Sequence, residues 1–377
     1  MDFSPTDEQQ ALAEAVRGTL RRYGSPAAER GESGAPSGHD DALWQSLVHA
    51  GVPALAWAEE DGGMGAGFTD VSAAATELGR ARLQVPLAET IVAGSLIASL
   101  ASDVVRRELL GGLSEGTALP IPALAEPLRA WSPQPTDVVA SGSGDAWTLT
   151  GIKAPVRYAP DATHLVVTAA TDAGTGVFLV TAPEAANAEV VLDGTSAILL
   201  AQGEAADSAI SEALALGGVV LCAEAVGAME EALRLTTDYL DTRTQFGRKL
   251  ASFQTLTHRA ADMYAQLELA RSATLYAAMV ADESPVDIDY VLRARLVVDR
   301  AARLVGQEAI QMHGGIGVTA EHPVSHLTAR LTAITRTWGD RRSQQAELAT
   351  GLLSGQVRDG STVVVDRDDE GGGLALR

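Results

Sequence analysis

The 377-residue sequence has little of several residue types, and each shortage excludes a class of protein. It has a single cysteine, Cys222, so no intramolecular disulfide can form, which favours the cytosol. Lysine and arginine number 28 against 49 acidic residues, which gives a net charge of −21. That charge argues against nucleic acid or an anionic membrane surface as a partner. It does not exclude a phosphorylated ligand, because local arginines can still bind one.

The sequence also lacks segments that would place it in or across a membrane. The first ten residues, MDFSPTDEQQ, are acidic and predict no signal peptide. The nearest approach to a membrane span, Ala213 to Met229, falls short of the required length and is interrupted by Glu224. Histidine and cysteine do not occur together at metal-ligand spacing, so no metal site is predicted. We therefore expect a cytoplasmic protein.

Residue patterns divide the chain into three domains and a tail. Aromatic residues make up only 4% of a sequence that is 46% apolar, so Ala, Leu and Val should fill the core. Residues 1–116 read as helical, and residues 117–205 contain short β-rich runs separated by Gly, Asp, Asn and Pro. Residues 206–356 carry apolar seams at spacings of three and four, typical of an antiparallel four-helix bundle. Residues 357–377 are predicted to be a mobile tail.

Two stretches in the third domain carry the side chains best suited to a ligand. Residues 239–254 read YLDTRTQFGRKLASFQ and are predicted to form a helix–turn–helix corner. There the Arg243 guanidinium suits a pyrophosphate, Phe246 offers a face to a ring, and Gln254 offers an amide to a purine edge or ribose. Residues 311–317, QMHGGIG, follow a helix and place two glycines where a backbone can approach a phosphate closely. Either stretch alone is more often an ordinary helix end.

Occurring in this order and at this separation, the two stretches resemble the flavin-binding signatures of the acyl-CoA dehydrogenases. The glycine-rich loop Gly62–Gly67 and the G-x-K of residues 151–153 resemble the family's first two domains. The resemblance implies an α+β multidomain fold: an N-terminal helical domain, a small antiparallel β-domain and a C-terminal four-helix bundle. It also implies an FAD at a subunit interface, held mainly by the neighbouring subunit. The residues assigned to FAD, mostly to its ADP half, are Arg243, Gln245, Phe246, Phe253, Gln254, Gln311, His313, Gly314 and Gly315.

The family reaction needs a carboxylate to take the α-proton of an acyl-CoA thioester while the flavin takes the β-hydride. The family places this carboxylate at one of two positions. By likeness, one is occupied here by Trp338 and the other by Gly217–Gly218. No catalytic residue is therefore assigned; Asp340 lies near enough to Trp338 to be a substitute base.

The stretches that hold the flavin ring in this family are also altered. The T-E-P stretch survives only as Ala125-Glu126-Pro127. The W-[IV]-[TS] run is replaced by Pro155-Val156-Arg157, which offers neither the aromatic ring nor the hydroxyl expected there. Together with the missing base, these changes predict that the chain holds no working isoalloxazine of its own.

These expectations lead to three hypotheses. In the first, the chain is the non-catalytic partner of a Glu-bearing sister subunit in an α2β2 acyl-CoA dehydrogenase. It then resembles the actinobacterial heteromeric enzymes that oxidise acyl side chains of steroid-CoA thioesters, with an electron-transfer flavoprotein as the acceptor that the family suggests. In the second, it is a homo-oligomer that uses Asp340 or Asp241 as a displaced base. In the third, it is a scaffold that binds neither flavin nor substrate.

Overall fold

The computed structural model describes residues 6–23, 39–144, 146–283, 285–353, 365–367 and 374–376. Its N-terminal helices are α1 (Asp7–Leu20), α2 (Asp41–His49), α3 (Phe68–Ala81), α4 (Leu87–Leu100) and α5 (Asp103–Glu115). A sheet follows, made of β1 (Pro120–Ala123), β2 (Val139–Ser143), β3 (Ala146–Lys153), β4 (His164–Thr171), β5 (Gly174–Thr181) and β6 (Val190–Gln202). The later helices are α6 (Glu204–Thr242), α7 (Gln254–Ala281), α8 (Ile288–His313), α9 (Pro323–Ile334) and α10 (Arg341–Leu353). The predicted order of helical, β and helical domains is confirmed.

Four short strands complete the described chain. Strands β7 (Thr244–Gln245) and β8 (Arg248–Lys249) form a hairpin between α6 and α7. Strands β9 (Val365–Arg367) and β10 (Leu374–Leu376) pair antiparallel within the predicted mobile tail, and the rest of that tail lies outside the described residues.

The predicted small β-domain is present, but its sheet is mixed and not antiparallel throughout. Strand β4 pairs with β5 along one edge and with β1 and then β2 along the other, and β2, β3, β6 and β5 close the ring. Both β1 and β2 run parallel to β4. Their sequences, PIPA and VASGS, contain proline, glycine and serine, which are poor strand formers, so their residue pattern did not reveal them.

Helix α6 is the central element of the molecule and packs against α3, α4, α7, α8 and α9. By length and composition alone, this 39-residue helix could cross a membrane. The apolar run Ala213–Met229 was expected from the sequence to be too short for that. However, 72% of the most apolar window of α6 is buried inside the fold. Glu224, which interrupts the apolar run Ala213–Met229, is paired with Arg330 of α9, and both side chains are buried. This helix is apolar because neighbouring elements surround it.

The predicted bundle consists of α6 to α9, with α10 packed on α8. The apolar seams of α7 and α8 face its interior, as the spacing predicts: Met263, Leu267, Ala270, Val291, Val298, Val305 and Met312 are all buried. The start of α7 lies beside the end of α8, where Arg259 pairs with Glu308 at 2.5 Å. The two ligand-binding stretches predicted from the sequence therefore lie at the same end of the bundle.

Candidate functional site

The first predicted stretch forms a β-hairpin and not the expected helix–turn–helix corner. Helix α6 ends at Thr242, and Arg243 is its C-cap residue. The two turn residues between β7 and β8, Phe246 and Gly247, have φ angles of 54° and 79°. Positive φ at both positions is the geometry of a two-residue hairpin turn whose strands follow the natural twist. Glycine adopts positive φ without an energetic cost, whereas phenylalanine adopts it only at a cost.

The hairpin presents an aromatic pair and a cation to solvent. Phe246 is 90% exposed, and its ring lies 6.2 Å, edge to face, from that of Phe253 at the start of α7. The Arg248 guanidinium lies 4.0 Å from the centre of the Phe253 ring. Arg243 is exposed and has no ion-pair partner among the described residues. Asp241, by contrast, is paired with Lys249 at 3.0 Å.

The second predicted stretch ends α8 with an open glycine pair. Gly314 has a φ of 64° and a ψ of −139°, a conformation that glycine favours. A Cβ added at Gly314 or Gly315 would meet no atom within 4 Å, so the backbone is accessible on this side. Gln311 is exposed beside it.

His313 is turned into the fold, unlike the other residues assigned to FAD, so it does not lie on their exposed face. Its ring stacks on Tyr239 of α6 at 4.5 Å, and its Nδ1 bonds to the carbonyl oxygen of Ala309 at 2.8 Å. Burial lowers its pKa. The spacing of the motif did not predict that the His313 side chain points into the fold. His313 joins the end of α8 to the last turns of α6, so that both stretches form one surface. We call residues 243–254 with Gln311, Gly314 and Gly315 the bundle-end surface.

An interdomain cavity of about 360 Å³ lies where the sheet, α4 and the α9–α10 connection meet. The residues that line it are Glu89, Pro122, Ala125, Glu126, Arg129, Ala130, Trp131, Ser132, Gln134, Pro155, Arg157, Ala333, Arg336, Thr337 and Trp338. It brings together the two altered ring-site stretches and one of the two altered base positions that the resemblance assigns.

An ion pair fixes one wall of this cavity. The Arg157 guanidinium meets the Glu89 carboxylate at 3.1 Å and donates to the hydroxyl of Tyr158 at 3.1 Å. Burial would lower the pKa of Arg157, but the Glu89 charge outweighs it and holds the guanidinium ionised. Sequence reasoning missed Glu89. The available signal was a lone acid in the apolar run LAETIVAGSLIASL, which must find a cation once that run is buried.

Glu126, the survivor of the T-E-P stretch, anchors a loop. Its carboxylate accepts from the backbone N–H groups of Thr136, Asp137 and Val138 at 3.1 Å and from Lys153 Nζ at 3.3 Å. Burial opposes ionisation, but these donors prevail and lower the pKa of Glu126 to about 2. Lys153 is fully buried, which lowers its pKa to about 8, and it also donates to the carbonyl oxygen of Leu124.

The two altered base positions lie against each other. The Trp338 ring comes within 2.8 Å of the point that a Cβ on Gly217 would occupy, and Val92 of α4 lies 2.4 Å from the same point. Any side chain at position 217 would clash with this indole. The space between α4, α6 and the α9–α10 connection is therefore filled by Trp338.

Asp340 caps helix α10. Its Oδ1 accepts from the N–H groups of Arg342 and Ser343 at 3.1 and 3.0 Å. These bonds lower its pKa, and the residue is exposed. Asp340 does not line the interdomain cavity.

Family models match most of this architecture. That of the acyl-CoA dehydrogenase N-terminal domain matches residues 6–117, and that of the C-terminal domain matches residues 208–353. The chain is 32% identical over 328 residues to acyl-CoA dehydrogenase IpdE2 of Mycobacterium tuberculosis, covering 86% of this chain and 91% of that protein. The chain belongs to the acyl-CoA dehydrogenase family, whose members are FAD-dependent oxidoreductases.

Within the family, the chain is similar to proteins solved as pairs. It matches a chain of a variant of the Tcur3481–Tcur3483 steroid acyl-CoA dehydrogenase with a TM-score of 0.83 and 29% identity, over 93% of this chain and 98% of that one. It matches a chain of the ChsE4–ChsE5 complex of Mycobacterium tuberculosis with a TM-score of 0.83 and 26% identity, over 93% and 99%. The resemblance drawn from the sequence is confirmed.

Proposed function

We propose that this chain is the non-catalytic subunit of an α2β2 acyl-CoA dehydrogenase and completes the FAD site of a Glu-bearing sister subunit. The sister would hold the isoalloxazine and the base, and the assembly would introduce the α,β double bond of an acyl-CoA thioester. One contrast carries this proposal. The bundle-end surface is exposed and carries side chains suited to an ADP group, whereas the interdomain cavity of the same chain has a proline and a paired arginine at the ring-site positions and Trp338 packed against Gly217 at the base positions.

The bundle-end surface has the chemistry to hold the ADP half of FAD. Arg243 supplies a guanidinium without an ion-pair partner among the described residues for the pyrophosphate. Phe246 and Phe253 supply ring faces, and Gln254 and Gln311 supply exposed amides. The open backbone at Gly314–Gly315 allows close approach. Bound FAD would supply the acceptor for the hydride that leaves the substrate β-carbon.

The interdomain cavity does not fit a flavin ring in the way the family uses it. Position 155 is a proline and offers no aromatic face. Position 157 is an arginine whose guanidinium is already paired with Glu89. In this proposal, the cavity of this chain carries out no catalytic step.

The carboxylates of the described chain near the cavity are all engaged and do not serve as a base. Glu89 is paired with Arg157, Glu126 is saturated with donors, and Asp340 caps α10. A general base contributes typically 10² to 10⁴ in rate, or about 3–5 kcal/mol of barrier. The lack of an available base near the cavity in the described chain supports the proposal that this chain does not catalyse the reaction alone.

The remaining parts of the proposal follow the likeness to the steroid enzyme. The acyl group would be a steroid side-chain thioester, the assembly would be cytoplasmic, and an electron-transfer flavoprotein would take the electrons. A panel of acyl-CoA thioesters of differing ring content, assayed on the assembled enzyme, would test the first point.

The bundle-end surface can be tested by Arg243→Ala in the co-expressed complex. Removing the guanidinium should strip most FAD from the assembly, because the pyrophosphate loses its charge partner. Arg107→Ala, on the exposed side of α5, is the matched control and should keep full flavin content. Flavin content would be read from the absorbance ratio of flavin to protein, and a normal ratio in Arg243→Ala would refute the proposal.

The variant Asp340→Ala in the same complex distinguishes the proposed function from the homo-oligomeric alternative. We expect turnover to be unchanged, because Asp340 serves as a helix cap. If Asp340 were a displaced base, turnover should fall by about 10² or more. The scaffold alternative predicts that Arg243→Ala leaves the flavin content of every preparation unchanged.

A further inference from the structure

A second cavity opens between α8, α9 and the start of α10. It encloses about 900 Å³ and is lined by five arginines: Arg300, Arg303, Arg336, Arg341 and Arg342. All five are exposed. Thr328, Thr332 and Thr335 add hydroxyls along α9 and its end, and no aromatic side chain lines the cavity in the described part of the chain. We call this the arginine groove.

The carboxylates in the groove form no ion pair within 4.0 Å with these arginines in the described part of the chain. Glu308 pairs with Arg259 of α7, Asp299 accepts from Gln344 at 3.1 Å, and Asp340 accepts from the backbone of α10. Among the residues that the structure describes, none of the five guanidiniums has a carboxylate within 4.0 Å. This concentration of unpaired positive charge is unexpected in a chain with a net charge of −21.

The shape of the groove argues against a small-molecule pocket. Its five guanidiniums are exposed, and its described lining has neither an aromatic wall to stack a base nor an enclosed floor of polar groups. Exposed arginines spread over α8, the α9–α10 connection and α10 instead suit the rim of a protein interface, where opposite charges set partner choice and association rate.

We propose that the arginine groove binds an Asp- and Glu-rich face of the sister subunit, and this inference rests on the function proposed above. The groove would also select that sister over a second copy of this chain. A two-fold contact made by the groove would place the five guanidiniums of one copy against those of the other, and like charges disfavour it. The same charge that repels a copy attracts an acidic partner.

The test is Arg303→Glu in the complex co-expressed with each Glu-bearing acyl-CoA dehydrogenase of the source organism. Arg107→Glu, an equal charge change on α5, is the control. The dissociation constant of each assembly would be measured by analytical ultracentrifugation at several salt concentrations. We expect Arg303→Glu to weaken assembly about tenfold or more at low salt, with a smaller difference at high salt, and the control to match the wild type.

Three results would overturn the inference. Equal assembly of Arg303→Glu and wild type at every salt concentration would show that the groove is not at the interface. An equal loss in Arg107→Glu would show a general effect of charge. Binding of inorganic pyrophosphate by the wild-type chain, lost in Arg303→Glu while the heteromer still forms, would assign the groove to a small anion. In each case a heteromer with shared FAD would leave the proposed function standing, whereas failure of the wild type to assemble with any sister would defeat that function instead.

Discussion

Phe246 holds a backbone conformation that its side chain disfavours and gains no burial in exchange. Its φ is 54°, and it is 90% exposed. A strained, non-glycine residue costs of order 1 kcal/mol or more and persists where surrounding structure or function requires it. Because the turn needs positive φ at both central positions, its geometry favours asparagine or glycine at residue 246, and not phenylalanine. Under the proposed function, this ring is presented to the flavin of a neighbouring subunit.

Phe246→Asn separates these two roles. Asn-Gly is the preferred pair for this hairpin turn, so the free energy of unfolding of the lone chain should rise by roughly 0.5–1 kcal/mol. The FAD content of the complex should fall, because the ring is lost. Urea unfolding and the flavin-to-protein ratio measure the two effects. An unchanged FAD content would contradict a role for the ring.

The sequence indicated which residues could bind a ligand, but it did not indicate the direction in which each side chain points. Arg243, Phe246 and Gln311 could be assigned from motif spacing and are exposed at one end of the bundle. His313 shares the motif yet points inward, because Tyr239 offers it a stacking partner from another helix. Such a contact depends on packing between segments far apart in the chain.

At the scale of elements, the crossing of α3 and α6 depends on two glycines. A Cβ on Gly79 would lie 1.9 Å from the carbonyl oxygen of Glu224, and one on Gly227 would lie 1.9 Å from that of Thr76. The two backbones therefore touch, and α6 is held close to the N-terminal domain. Glu77 and Arg80 flank the crossing and pair with each other and with Arg17 and Glu230.

Gly79→Ala should push these helices apart. The methyl group meets backbone and not a movable side chain, so we expect a loss of about 1–3 kcal/mol or more in the free energy of unfolding. Gly18→Ala in α1, where no atom lies within 4 Å of the added Cβ, is the control and should be neutral or stabilising. Thermal or urea unfolding of the two variants would decide. Equal stability of Gly79→Ala and the wild type would show that the crossing tolerates a wider separation.

Element types were predictable to different degrees. The long seams of α7 and α8 repeat over many turns, so their periodicity identified them. Strands β1 and β2 have four and five residues and little β-forming character, so only the pairing of β1 with β4 and of β2 with β3 reveals them. The hairpin at residues 244–249 was mistaken for a helical corner, because two-residue strands leave no periodic pattern.

At the scale of the whole molecule, the two flavin-related regions of the chain have opposite character. The sequence predicted altered base positions, but not that Trp338 would fill the space above Gly217. It predicted an altered ring site, but not that Arg157 would be paired with Glu89. These contacts join the three domains and depend on the complete fold. They give the interdomain cavity a paired arginine on one wall and an indole packed against Gly217, while the bundle-end surface is exposed.

The central claim, that FAD is shared between this chain and a sister subunit, is tested most directly by flavin stoichiometry together with native mass. The chain would be purified alone and after co-expression with a Glu-bearing acyl-CoA dehydrogenase. The account predicts a colourless lone chain and a yellow α2β2 complex with one FAD for each pair of unlike subunits. A yellow homo-oligomer with one FAD in every subunit would contradict it.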